Sequence, residues 1–172
     1  MTAGVAVRGP STILESQDIA SSGWNYKSAS SFITLSFWVR ASVSQEFYAS
    51  LKTFDTTEQN YVFSFTPAAG TWTKVTKTIP GNSNLQFDSD NGPGLKISIS
   101  AFWGTNWTAP SVTTDSWQTF TSSTRFPDFA TTWASTDGAT FDLTGIQLEL
   151  GTRATPFEHR SYGDELQRCL RY

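Results

Sequence analysis

The 172-residue chain has one cysteine, Cys169, and one histidine, His159. A single cysteine excludes any intrachain disulfide, so no disulfide framework holds the fold. The simplest role for Cys169 is a small apolar side chain near the C-terminus. A zinc site normally draws four ligands from Cys, His and acidic residues, and one of each is a poor supply. The same scarcity argues against a Ser-His-Asp or Cys-His nucleophile pair. No G-x-S-x-G, phosphate loop or metal-ligand cluster occurs, so the sequence points to no catalytic residue, metal or cofactor. Charged residues make up only 16% of the chain, against roughly 25% in an average globular domain. The net charge is −3, and Lys and Arg form no run, which excludes a nucleic-acid groove driven by counterion release. No apolar stretch approaches the roughly 20 residues needed to span a bilayer. The opening segment, MTAGVAVRGPSTILESQDIA, lacks the long apolar core of a secretory signal.

What the chain has is aromatic and hydroxyl side chains. Thirteen Phe, seven Trp and five Tyr supply ample core volume. Ser and Thr together supply about a quarter of the residues, well above ordinary usage. Disorder is excluded by this aromatic content, and the length suits one domain. Alternation with a period of two recurs. Ile33, Leu35, Phe37, Val39 and Ala41 share one face and Trp38 and Arg40 the other. Phe47, Ala49 and Leu51 form a second such set, and Tyr61, Phe63 and Phe65 a third. Leu95, Ile97, Ile99 and Ala101 alternate with Lys96, Ser98 and Ser100. The stretch 71–79 is rich in β-branched residues and stops at Pro80-Gly81. Phe141 to Leu150 reads as a long closing strand.

About eight to ten short strands bounded by turn residues predict an all-β, antiparallel β-sandwich, probed first as a jelly roll, with an up-and-down barrel as the alternative. The Ser/Thr-rich outer faces are expected to be solvated or covered by a polar partner. Residues 81–93 and 104–116 read as long loops. Ser161-x-x-Asp164 is a capping-box pattern, and Tyr162, Leu166, Cys169 and Leu170 share a helical face, so a short C-terminal helix is expected over 161–171. The organisation expected is an N-terminal arm at 1–12, the sandwich at 13–158 and a partly helical tail at 159–172.

The string at 145–172, GIQLELGTRATPFEHRSYGDELQRCLRY, resembles the C-terminal end of β-sandwich domains in bacteriophage tail fibres and related virion appendages. The matching residues are Ile146-Gln147-Leu148-Glu149, Gly151, Ala154-Thr155-Pro156-Phe157-Glu158, and Glu165-Leu166 through Cys169 to Arg171-Tyr172. Upstream, Glu15-Ser16-Gln17-Asp18 is similar to that family's opening strand, Thr34–Val39 to its "TLSFWV" strand, and Thr71-Trp72 through Ile79-Pro80-Gly81 to its "TW…IPG" strand and turn. The sandwich is also similar to jelly-roll carbohydrate-binding modules. The resemblance implies a virion location after synthesis in the host cytoplasm. It also implies a homotrimer and partners among other virion proteins. Two departures stand out. MTAGVAVRG is too short for a tail-docking segment, so the chain reads as an excised domain or a small separate appendage protein. Leu143-Thr144-Gly145-Ile146 lacks the acidic pair with which sugar modules hold calcium, and Glu15, Asp18 and Asp142 are only a partial set, so no calcium is expected.

Trp faces offer sugars an apolar platform, and nearby amides or carboxylates can pair with hydroxyls. Trp103, Asn106, Trp107, Trp133 and Asp137 are therefore the candidate glycan-binding residues, with a host-surface glycan as the partner. The same rings can instead fill the core or a subunit interface. Trp38, Phe54, Leu166, Cys169 and Leu170 are the candidate contacts between chains. Asp88/Asp90 and Asp137/Asp142 read as turn residues rather than a hydrolytic pair. The reading is a non-catalytic adhesion domain. Its alternatives are a capsid decoration or adaptor protein without sugar binding, and an accessory module of a glycan-degrading enzyme.

Overall fold

A computed structural model describes residues 6–7, 9–158 and 161–169. In chain order the elements are β1 (Ala6–Val7), β2 (Ser11–Glu15), α1 (Ser16–Ala20), β3 (Phe32–Ala41), β4 (Phe47–Thr53), β5 (Gln59–Phe65), β6 (Thr73–Pro80), β7 (Pro93–Ser100), β8 (Phe102–Trp103), β9 (Trp117–Thr119), α2 (Thr132–Ser135), β10 (Phe141–Leu150) and α3 (Tyr162–Cys169). The larger sheet runs β2-β7-β4-β5-β9, the smaller β10-β3-β6, and β1 pairs with β8 apart from both. All the pairings are antiparallel. The chain passes repeatedly between the two sheets, so most neighbours within a sheet are distant in sequence. That wiring is a sandwich's, and it sets aside the up-and-down barrel. Among the described residues no helix is long and apolar enough to cross a membrane.

The alternation places the core as expected. Leu35, Phe37, Val39 and Ala41 of β3 are fully buried, as are Phe47, Ala49 and Leu51 of β4. Rings from opposite sheets lock the layers together. Phe37 meets Phe65 edge-on with centroids 5.3 Å apart, and Phe47 lies 5.0 Å from Phe141. Fully burying side chains of this size contributes about 1.5–3 kcal/mol each. Trp117 ties the edge of the larger sheet to the smaller one through Nε1, which donates to the Pro80 carbonyl at 2.7 Å.

Three expectations are corrected. The arm expected at 1–12 is partly built into the fold: Ala6-Val7 pair with Phe102-Trp103, and Ser11-Thr12 pair with Ile97-Ser98. The opening strand that the resemblance places at Glu15–Asp18 ends at Glu15, and Ser16–Ala20 is helical. The reason lies opposite, where the ladder meets Pro93, which has no N–H to continue it. The Ser16 and Gln17 amides instead donate to the Gly92 and Asp90 carbonyls at 2.9 Å. Finally, the outer face of the larger sheet is covered by the chain's own 102–130 segment rather than by solvent or a partner. Phe129 packs edge-on against Tyr48 (4.9 Å), and Asn60 Nδ2 donates to the Arg125 carbonyl at 2.8 Å.

The C-terminal motif has a physical role within the fold. Gln147 and Glu149 face outward from β10, and the following segment folds back over them. The Thr155 hydroxyl donates to Glu149 Oε1 at 2.6 Å and its amide to Oε2 at 3.0 Å. The Glu158 amide donates to Gln147 Oε1 at 3.1 Å. Gly145, at φ +60°, makes room for this return, because a Cβ there would lie 3.2 Å from Trp38 and 3.7 Å from Phe157. The β10 register shifts at this point, between Thr144 and Gln147, as a bulge requires. The helix α3 begins with the expected cap: the Asp164 amide donates to Ser161 Oγ at 3.2 Å, and Ser161 Oγ donates to Asp164 Oδ2 at 2.7 Å.

Candidate functional site

The covering segment leaves one part of the larger sheet reachable. Its outward positions follow the strand register. Lys96, Lys52, Asn60 and Gln118 form one row across β7, β4, β5 and β9, and Ser98, Ser50 and Val62 form the next. Over these rows lie Trp103, Phe120, Arg125 and Phe126, with Phe54 at the end of β4. Together they line a cleft of about 150 Å³.

The cleft is electropositive by construction. Lys52 and Lys96 are direct cross-strand partners, and like charges placed opposite each other destabilise a sheet. Lys52 Nζ sits 4.3 Å from the Phe54 ring centroid and 4.1 Å from that of Phe120. Its ammonium also contacts Glu58 Oε1 at 2.8 Å. The Arg125 guanidinium lies 5.2 Å from the Trp103 ring and 5.7 Å from Phe120. Its Nε donates to the Ser122 carbonyl at 2.9 Å. Contacts of this kind between a cation and a ring face are attractive. The rings therefore hold two of the three cations in place, while Ser50, Ser98 and Asn60 give the floor hydroxyl and amide groups.

The five sugar-binding candidates do not form one platform. Trp103 lines the cleft but is only 7% exposed, and it packs edge-on against Trp107 at 5.6 Å. Trp107 is half-buried beside it. Asn106 is exposed in the turn closed by the Trp107 amide on the Gly104 carbonyl. Trp133 is a correction: it is 7% exposed, packs against Phe47 and Phe141, and donates through Nε1 to the Thr140 carbonyl at 3.0 Å. Its face is committed to the core. Asp137 is exposed in the turn before Gly138 and does not line the cleft. Sequence reading missed Lys52, Lys96 and Arg125. The signal available was the polar side of the β4 and β7 alternation, which carries a lysine at the same distance along each strand.

Among the expected inter-chain contacts, Phe54 lines the cleft instead. Trp38 is 39% exposed on the outer face of the smaller sheet. Trp72 and Phe157 are exposed to a similar degree, and Arg40 lies 5.2 Å from the Trp72 ring while pairing with Asp142 at 3.0 Å. Leu166 is exposed on α3. The side chain of Cys169 and the whole of Leu170 lie outside the described residues, as does His159.

Other titratable groups are structural. Burial pushes the Tyr48 hydroxyl up to about 12, helped by its 2.9 Å hydrogen bond to Glu46. Burial also pushes Tyr61 up to about 12, with the charge of Asp115 adding to it. Asp90 Oδ1 accepts from the Gly92 amide at 3.0 Å as a turn residue, and Asp55 accepts from the Ser16 hydroxyl and the Asp88 amide. Among the described residues no group of three or more His, Cys, Asp or Glu is gathered to hold a metal ion. Comparison with family models, curated proteins and solved structures finds no match.

Proposed function

We propose that this chain is a non-catalytic adhesion domain of a tailed-phage tail fibre or similar virion appendage, and that it binds a host-surface glycan in the cleft over the larger sheet. The observation that carries the binding reading is the cleft itself. It combines aromatic walls with convergent hydroxyl, amide and cationic donors, the usual composition of a small-molecule site. Its described lining contains no Asp, Glu or His. Glycoside hydrolysis ordinarily needs two carboxylates flanking the bond, so the arrangement supports holding a sugar rather than cutting it. The virion context rests on the resemblance of the 145–172 string. Display in a homotrimer would multiply a weak single-site affinity, provided the sites can engage together.

A second reading is favoured by a separate observation. Trp38, Trp72 and Phe157 leave an apolar patch on the smaller sheet, which suits a decoration or adaptor protein that contacts neighbouring subunits and no sugar. Locating the chain in a cryo-electron microscopy map of the intact particle separates the two. Density at distal fibre tips is the expected result. Density on the capsid shell overturns the adhesion reading in favour of the second.

A further inference from the structure

We infer that the cleft selects an acidic monosaccharide unit, a pyranose ring bearing a carboxylate, over the neutral sugar of the same shape. This rests on the glycan-binding reading above and adds the ligand's charge to it.

The first argument is the placement of cations. Lys52 and Lys96 face each other across β4 and β7, and the covering segment then adds the Arg125 guanidinium to the same cleft. A like-charged cross-strand pair works against the sheet, and a third cation adds to the repulsion. Glu58 meets Lys52 and offsets one of the three charges, so the cluster keeps a positive excess in a chain whose net charge is −3. An anion seated among the three would convert that repulsion into attraction.

The second argument is preorganisation. Lys52 is held between the faces of Phe54 and Phe120, and Arg125 lies against Trp103 and Phe120. Lys52 is only partly solvent-exposed. Side chains already fixed in place lose less freedom on binding, and a partly desolvated cation interacts more strongly with an anion than one in bulk water.

Size and floor chemistry favour a sugar acid over a free inorganic anion. A cavity of about 150 Å³ accommodates one six-membered ring, whereas phosphate would leave most of it empty. Ser50, Ser98 and Asn60 on the floor match the hydroxyls of a pyranose. The carboxylate would accept charge-assisted hydrogen bonds from Lys96 and Arg125.

The test uses the full chain. Titrations followed by amide chemical shifts and calorimetry would compare oligogalacturonate, oligoglucuronate and oligosialic acid with their carboxyl-reduced, neutral counterparts. The expected result is that at least one acidic oligosaccharide binds roughly tenfold or more tightly than its neutral form, with shifts centred on Asn60, Lys96 and Arg125. Lys96→Gln and Arg125→Gln should each bring the acidic ligand close to the affinity of the neutral one, while leaving affinity for the neutral sugar unchanged. Equal binding of acidic and neutral forms overturns the charge selection and leaves the glycan-binding reading standing. Failure of every sugar to bind overturns both. Inorganic phosphate or acetate producing the same shifts at the same concentrations overturns the saccharide assignment.

Discussion

Gly81 sits where the chain leaves β6, and its amide donates to the Ser31 carbonyl at 2.8 Å. A Cβ at this position would lie 2.4 Å from the Tyr26 carbonyl oxygen and 2.6 Å from that of Ser28. Both obstacles are backbone, so neither can swing away, and the Pro-Gly turn is a packing requirement as well as a stop signal. Gly81→Ala is expected to destabilise the domain by about 1–3 kcal/mol, the usual range for forcing atoms into a filled site. Thermal melting checks this, and a midpoint equal to wild type would show that the 24–31 loop shifts freely. Trp133 makes a related point. Its ring is large and sits in a stretch of small polar residues, so the sequence offers it equally as a binding platform or a core plug. Only its neighbours Phe47 and Phe141 assign it to the core.

Among the elements, β10 and the segment that returns over it behave as a latch. Glu149 is the centre of that latch. Its carboxyl is held below its ordinary value of 4.5 chiefly by the Thr155 hydroxyl, with Gln147 and the Thr155 amide adding to the effect. A lowered carboxyl value in the folded state means the stabilisation is full above 4.5 and is lost as pH falls through the folded value. The group is exposed, so the global stability change is small, and the effect is local. Amide shifts and relaxation of Thr155 and Glu158, followed from about pH 6 down to about pH 3, should report a loosening that begins below the ordinary carboxylate range. Glu149→Gln should abolish that pH dependence. A titration at Thr155 that is the same in wild type and variant would refute the latch. The alternation of β3, β4, β5, β7 and β10 was legible because a strand with one buried face repeats every two residues. The elements α1, α2 and β1 were not, since each is short and is set by a tertiary partner such as the Gly92 and Asp90 carbonyls for α1.

On the scale of the whole molecule, the two sheets present different outer surfaces. The larger sheet is roofed by residues 102–130 except at the cationic cleft. The smaller sheet leaves Trp38, Trp72 and Phe157 each about 40% exposed, flanked by Arg40 and Asp142. Exposed aromatic rings gathered on one face mark a contact surface more often than isolated ones do. If the proposed homotrimer forms through this face, sedimentation at micromolar concentration should give three times the 19.0 kDa chain mass, and Trp38→Lys should shift the chain to monomer with its melting behaviour preserved. A monomeric wild-type chain under those conditions would remove the trimer and, with it, the avidity argument.

Low charge, abundant hydroxyls and alternating aromatics were sufficient to determine the class of this protein, a well-packed antiparallel sandwich with a capped C-terminal helix. Those are local or periodic properties, and a strand's burial pattern or a Ser-x-x-Asp cap is written within a few neighbouring residues. The cleft was decided only in three dimensions. Lys52, Lys96 and Arg125 lie far apart in the chain, and they meet because antiparallel register sets the two lysines opposite each other while a long irregular segment carries the arginine over them. Register between distant strands depends on how both faces of the sandwich pack at once, so no window of the sequence could have placed those three charges together.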